Sequence, residues 1–129
     1  MNRLRVTSFL FLLAAVAAAP VAAGALEECQ IAGDHPAVTK CLLEADAEAQ
    51  SSLRNAEAVA GTRARELDTA TGRAGANAAL AKTLRAFLEY RTLQCNYVKA
   101  LYASGTGAED AGLACRVDLT RRRVRELQP

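Results

Sequence analysis

The sequence predicts an all-α domain: an up-down-up three-helix bundle with a short N-terminal segment, stapled by two disulfides. Three observations predict it. Apolar residues recur in steps of three and four over three long stretches, no stretch alternates convincingly at period two, and four cysteines bracket turn-forming residues. Antiparallel helices joined by short loops bury three such stripes against one another.

The chain opens on a segment that does not belong to the bundle. Arg3 and Arg5 precede an apolar run from Val6 through Ala19, broken only by Thr7 and Ser8, and small residues follow through Ala23-Gly24-Ala25. A charged start, an apolar centre and a small-residue exit describe a secretory signal. We therefore expect residues 1–25 to be cleaved, after Ala25, with Ala23 as the alternative, leaving a domain over residues 26–129. The apolar run is shorter than the roughly 20 residues needed to span a bilayer, and Pro20 ends it. Leu26-Glu27-Glu28 stands before Cys29 where an acylation site would need small or apolar residues. The expectation is an exported protein, periplasmic or secreted, with no stable membrane anchor after cleavage.

Without Arg3 and Arg5, fourteen of the sixteen basic residues remain against fourteen acidic ones, so the exported chain is formally neutral. That removes the main electrostatic argument for a nucleic-acid partner. The charge is unevenly spread. Leu26 to Glu57 holds seven acids (Glu27, Glu28, Asp34, Glu44, Asp46, Glu48 and Glu57) against Lys40 and Arg54, a net of five negative, and the remainder is five positive. Two halves of opposite sign either fold onto each other or leave an acidic surface for a basic partner.

An even set of cysteines in an exported chain is expected to pair. Three connectivities exist, and the spacing favours one. Cys29 and Cys41 enclose Gly33, Asp34 and Pro36, which fold the chain back, and Cys95 and Cys115 enclose the Ala103-Ser104-Gly105-Thr106-Gly107 turn. We expect Cys29 to pair with Cys41 and Cys95 with Cys115, each closing a loop worth about 3 kcal/mol in the chain-entropy model. No C-x-x-C pair occurs, and His35 is the only histidine, so neither a metal site nor a redox motif is expected.

The first helix should start near Pro36, capped by Asp34 or His35, and carry Val38, Leu42, Ala45, Ala49, Leu53, Ala56, Ala60, Ala64 and Leu67 on one face to about Asp68. Thr69 to Gly75 reads as a loop. The second helix runs from about Ala76 to Ser104, with an inward stripe of Leu80, Leu84, Phe87, Arg91, Cys95, Val98, Leu101 and Tyr102. The third opens at Ala108-Glu109-Asp110, whose acids suit a helix start, and turns Leu113, Val117, Thr120, Val124 and Leu127 inward. Arginines at 121, 122, 123 and 125 crowd its end, where cations are favoured. With no tryptophan, and with two of the three phenylalanines (Phe9 and Phe11) in the signal, the core is thin and the disulfides should matter.

Arg91 falls inside an apolar stripe, and a guanidinium there is costly unless paired. Asp46 is the expected partner in a structural ion pair, with Glu44 and Asp118 as alternatives. Little else points to chemistry. Nucleophilic catalysis needs a base beside its serine or cysteine, and His35 sits in an exposed Gly-Asp-His-Pro start. Glu44 and Glu48 are four apart on one helix face, but nothing around them builds a sugar cleft. Gly105-Thr106-Gly107 lacks the lysine and strand of a phosphate loop. No catalytic residue, cofactor or metal is expected.

The order of these features carries a resemblance. Cys29 comes first, then Cys41-Leu42 followed by Ala45-Asp46-Ala47-Glu48. Phe87 with Tyr90-Arg91 and Cys95 follows, then a glycine turn, then Cys115 with Leu119-Thr120 and Arg123 ahead of Leu127. The arrangement resembles the lysozyme inhibitor LprI N-terminal domain family, small exported helical domains with an A-D segment, a W-x-x-[YF]-R-x-x-x-C segment and a C-x-x-x-L-T-x-x-R-x-x-x-L segment. Phe87 stands at the family's tryptophan position, Ala49-Gln50 at its L-N pair and Leu53 at a tyrosine position. The namesake is a lipoprotein, whereas this chain lacks the acylation site. The resemblance implies a non-enzymatic binding protein that blocks a muramidase by protein-protein contact. The acidic segment Glu27 to Glu48 would suit a basic lysozyme, with Glu44 and Glu48 as the contact residues. The alternative is a structural or stress-related module of the cell envelope with a protein partner but no lysozyme target.

Overall fold

The computed structural model describes residues 24–103 and 105–128. Of the expected signal only Gly24 and Ala25 are among them; the rest of that segment lies outside the described residues. Four helices follow in order: α1 Ala25–Gln30, α2 His35–Thr71, α3 Ala76–Leu101 and α4 Gly107–Leu127. The three long ones are the expected bundle, and the short N-terminal segment is itself helical.

α1, α2 and α3 each start where a carboxylate accepts from the first N–H groups. At α1 the Glu27 carboxylate accepts from the Gly24 N–H at 2.6 Å, and Asp118 reaches across from α4 to accept from the Ala25 N–H at 2.9 Å. For α2, the Asp34 side chain accepts from the Ala37 N–H at 3.0 Å, with Pro36 in the first turn, which settles the choice between Asp34 and His35. α2 runs to Thr71, past the expected stop near Asp68, and ends on Gly72 in the left-handed region at φ 64°. The added turn puts the Asp68 carboxylate over the start of α3, where it accepts from the N–H groups of Gly75 (3.2 Å), Ala76 (2.9 Å) and Asn77 (3.1 Å). One side chain thus ends the α2–α3 connection and caps the next helix. α3 stops at Leu101 rather than Ser104, and Ala103 takes a positive φ of 54° in the turn.

The core lies where α1, α2 and α4 meet: Ala25, Cys29, Val38, Leu42, Ala49, Ala114 and Val117 are buried together, with Leu26, Cys41, Ala45 and Leu113 against them. α4 is the central element, burying Ala108, Asp110, Ala111, Ala114, Val117, Leu119, Thr120 and Leu127, whereas α3 buries only Cys95. The inward stripe expected of α3 is therefore shallower than its periodicity suggests. Leu80, Leu84, Phe87 and Val98 are half-buried, and Leu101 and Tyr102 are exposed. Leu67, also expected inward, is exposed. Helix lengths explain Leu67. At about 1.5 Å per residue, α2 is nearly twice as long as α4. The C-terminal end of α4 meets α2 at Arg63, which donates to the Leu127 carbonyl at 3.2 Å. Beyond that point α2 and the start of α3 extend as a two-helix hairpin, with no third helix among the described residues to cover them.

Cys29 pairs with Cys41, Cα atoms 5.6 Å apart, and Cys95 with Cys115, Cα atoms 5.5 Å apart, as the spacing predicts. The first ties α1 to α2 inside the core, and the second ties α3 to α4. Gly112 lies against α3 there: a Cβ at that position would meet the Lys99 Cβ at 3.4 Å, an ordinary van der Waals contact. None of the described helices is long and apolar enough to cross a membrane.

Candidate functional site

The acidic N-terminal half meets the basic α4 through a line of polar contacts. Arg116 binds Asp46 with two hydrogen bonds, Nε to Oδ1 at 2.8 Å and Nη2 to Oδ2 at 2.7 Å. Arg121 pairs with Glu28 at 2.7 Å, and Asp118 accepts from α1. Much of the charge asymmetry is thus neutralised between the two halves. Two parallel N–H···O bonds suit the planar guanidinium fork.

The ion pair expected between Arg91 and Asp46 is not formed. Asp46 is engaged by Arg116, which approaches from α4, the helix that packs closest on α2. Arg91 instead donates to the Thr120 hydroxyl at 2.7 Å and lies 5.5 Å from the Phe87 ring centroid. Thr120 is fully buried, and its hydroxyl donates to the Arg116 carbonyl at 2.6 Å. Burial pulls the Arg91 guanidinium below the ordinary arginine value; the Asp46 charge opposes this, the Arg116 charge adds to it, and Glu57 opposes it. The group remains a cation, solvated by a hydroxyl and an aromatic face rather than by a carboxylate. Arg123 lies 5.8 Å from the same ring and donates to Thr83 at 2.9 Å, so two guanidinium groups lie close to Phe87.

A cavity of about 320 Å³ opens between α3 and α4 beside the second disulfide, lined by Arg91, Asn96, Lys99, Glu109 and Arg116 among others. Its charges are largely matched from within. Lys99 contacts Glu109, and Arg116 is held by Asp46.

The other expected contact residues lie on the surface. Glu44 points outward on α2, 3.9 Å from Lys40, and Glu48 is exposed beside a groove it shares with Ser52, Arg121 and Arg125. They share the outer face of α2. A second exposed surface runs along α3, where Tyr90, Leu93, Tyr97 and Leu101 recur at three, four and four, each more than half exposed. Leu101 is expected inward by its spacing, whereas Tyr90, Leu93 and Tyr97 lie off the periodic stripe, which is why the strip is not marked in the sequence.

His35 is exposed at the start of α2, as the sequence suggests, but it has a partner. Its Nδ1 lies 2.9 Å from Asp110 Oδ2, and the Thr39 hydroxyl donates to Asp110 Oδ1 at 2.8 Å. Asp110 is 4% exposed, so this network joins the start of α2 to the start of α4. The Thr39 hydroxyl is directed at the carboxylate and at the His35 carbonyl, 3.1 Å away, rather than at the imidazole. Such an arrangement holds two helices together and does not activate a nucleophile. The available sequence signal was that Asp110 falls in step with Ala114 and Val117, inside a buried stripe. Among the described residues no three metal-binding side chains converge.

A family model, Lysozyme inhibitor LprI, matches residues 28–127. The chain belongs to this family. No curated protein and no solved structure matches it. The matched span of this LprI family member holds both disulfides, the Asp46–Arg116 pair and the Arg91–Thr120 contact. In this chain, Phe87, at the position where the resemblance places a tryptophan, packs its ring against Arg91 and Arg123. The larger indole would offer a stronger face to the same two cations.

Proposed function

We propose that this LprI family member is an exported, non-enzymatic protein that blocks a muramidase by protein-protein contact. The observation that carries the reading is the family match over residues 28–127, in a chain that opens on a signal-like segment. Two disulfides suit an oxidising compartment, periplasmic or extracellular. The exposed Glu48, and Glu44 in a loose exposed pair with Lys40 at 3.9 Å, supply negative charge for a basic lysozyme surface. Cell-wall lysis by lysozyme in the presence of the purified, oxidised protein tests the reading. Inhibition is expected, and undiminished lysis at micromolar protein would overturn it.

A second reading, a structural or stress-related envelope module without a lysozyme target, draws on the α3 surface. Tyr90, Leu93, Tyr97 and Leu101 offer an apolar and aromatic contact strip that owes nothing to charge. Affinity capture on immobilised lysozyme, with and without reductant, separates the two. The first predicts retention that reduction abolishes, and the second predicts none.

A further inference from the structure

We infer that the export signal is removed between Ala23 and Gly24, and that the amino terminus so created is held by Glu27 and Asp118 as part of the fold. The inference rests on the proposed export. By sequence, the bond after Ala25 and the bond after Ala23 both follow small residues, and the surroundings of Gly24 and Ala25 distinguish them.

Ala25 is fully buried, in one cluster with Cys29, Leu42 and Val117, and its N–H donates to Asp118 Oδ1 at 2.9 Å. Hydrolysis after Ala25 would delete this side chain from the core and take away the donor that Asp118 holds. It would also delete Gly24, whose N–H donates to Glu27 at 2.6 Å. Hydrolysis after Ala23 leaves all of these contacts in place.

Gly24 is also where two carboxylates converge. A Cβ built on it would lie 3.1 Å from Asp118 Oδ2 and 3.3 Å from Glu27 Oε2, one from α4 and one from α1. Among the described residues neither acid is paired with a lysine, arginine or histidine. In the uncleaved chain Gly24 offers them one neutral N–H. A processing peptidase of the export machinery adds water across the Ala23–Gly24 bond. The hydroxyl goes to the Ala23 carbonyl carbon and a proton to the Gly24 nitrogen. At neutral pH that nitrogen becomes an ammonium with three donors and a positive charge. Cleavage thus supplies the missing cation and fastens α1 to α4.

The full chain, expressed in an exporting bacterium and recovered from outside the cytoplasm, should have an intact mass that begins at Gly24 and includes two disulfides. A mass beginning at Leu26 would overturn the inference while leaving export standing, and a Met1-bearing chain retained in the cytoplasm would overturn both. Refolded chains that begin at Gly24 and at Leu26 add a second readout. The Leu26 chain should lose about tenfold or more in its folded-to-unfolded ratio, from one lost buried side chain and two lost hydrogen bonds to carboxylates. Equal thermal midpoints would overturn the structural role of the terminus. A Gly24 chain acetylated at its amino group keeps an N–H but not the charge. Its midpoint should also fall, and an unchanged midpoint would overturn the role of the ammonium.

Discussion

Arg116 holds Asp46 through two hydrogen bonds of 2.8 and 2.7 Å, tying the central helix α4 to α2 at a carboxylate that is 14% exposed. Because Arg116 keeps partial contact with water, the pair is screened, and its loss should cost about 1–2 kcal/mol. Asp46→Asn and Arg116→Met should each lower the thermal midpoint by about 5–10 °C for a domain of roughly 100 residues. A double-mutant cycle should place the coupling between positions 46 and 116. Coupling of equal size between 46 and 91 would mean that Arg91 shares the carboxylate in solution.

Arg91 and Phe87 make a separate prediction. Thr120→Val removes the hydroxyl that accepts from a guanidinium already disfavoured by burial, and should destabilise by about 1–3 kcal/mol. Phe87→Ala strips the face that two guanidinium groups share and should loosen α3 from α4, whereas Phe87→Trp should keep or raise stability. Chemical denaturation of the three variants checks the order: Phe87→Trp at or above the parent, with Thr120→Val and Phe87→Ala below it.

Much of this fold was legible in the sequence because its signals are local. The cysteine spacing gave both disulfides, and Asp34 with Pro36 marked the start of α2. Apolar steps of three and four marked three long helices. Partner choice across the bundle was not legible. Arg91 and Asp46 are the natural pair if α2 and α3 are imagined side by side. α4 packs more extensively on α2 than α3 does, and its Arg116 takes the carboxylate. The same centrality buried Asp110 and gave it His35 and Thr39 as partners, which helical periodicity could not show. Exposure of Leu67 likewise depends on where α4 ends, a property of another segment of the chain.

Asp68 should give the domain an acid-sensitive hinge. Hydrogen bonds from the N–H groups of Asn77 and Ala76 hold its carboxyl below the ordinary value of 3.8, with a further contribution from Gly75, while desolvation opposes them. A depressed folded-state value means that the carboxylate stabilises the fold fully above the ordinary value. That stabilisation is lost as pH falls through the depressed one. Thermal midpoints of the parent and Asp68→Asn should therefore differ most near neutral pH and converge in strong acid. A constant gap across the range would show that the N–H contacts do not depend on charge.

The disulfides should be unequal in effect. Cys29–Cys41 lies in the core and fastens the short α1, a six-residue helix that cannot persist alone, while Cys95–Cys115 joins two long helices that also share Arg91–Thr120 and Arg123–Thr83 contacts. Replacing Cys29 and Cys41 by serine buries hydroxyls where sulfur packs, so alanine is the cleaner probe. The Cys29→Ala/Cys41→Ala variant should lose about 3 kcal/mol and release α1, seen as rapid amide exchange at Cys29 and Gln30. Cys95→Ala/Cys115→Ala should lose a similar amount in the chain-entropy model yet keep α3 protected from exchange. The reverse pattern of protection would place the anchoring of the bundle in α3 rather than in α4.

If the acidic face of α2 meets a basic muramidase, charge at Glu44 and Glu48 should act mainly on encounter. Both are exposed, so reversing them costs the fold little. The Glu44→Lys/Glu48→Lys variant should slow association about tenfold or more at low salt and leave dissociation nearly unchanged. The difference from the parent should shrink as ionic strength rises, because exposed charges are screened over about 10 Å at 0.1 M salt. Tyr97→Ala, on the exposed strip of α3, serves as the contrasting probe. If it instead raises the dissociation rate while the α2 reversals do nothing, contact runs through the apolar strip of α3, and the acidic face serves only to keep the exported domain soluble.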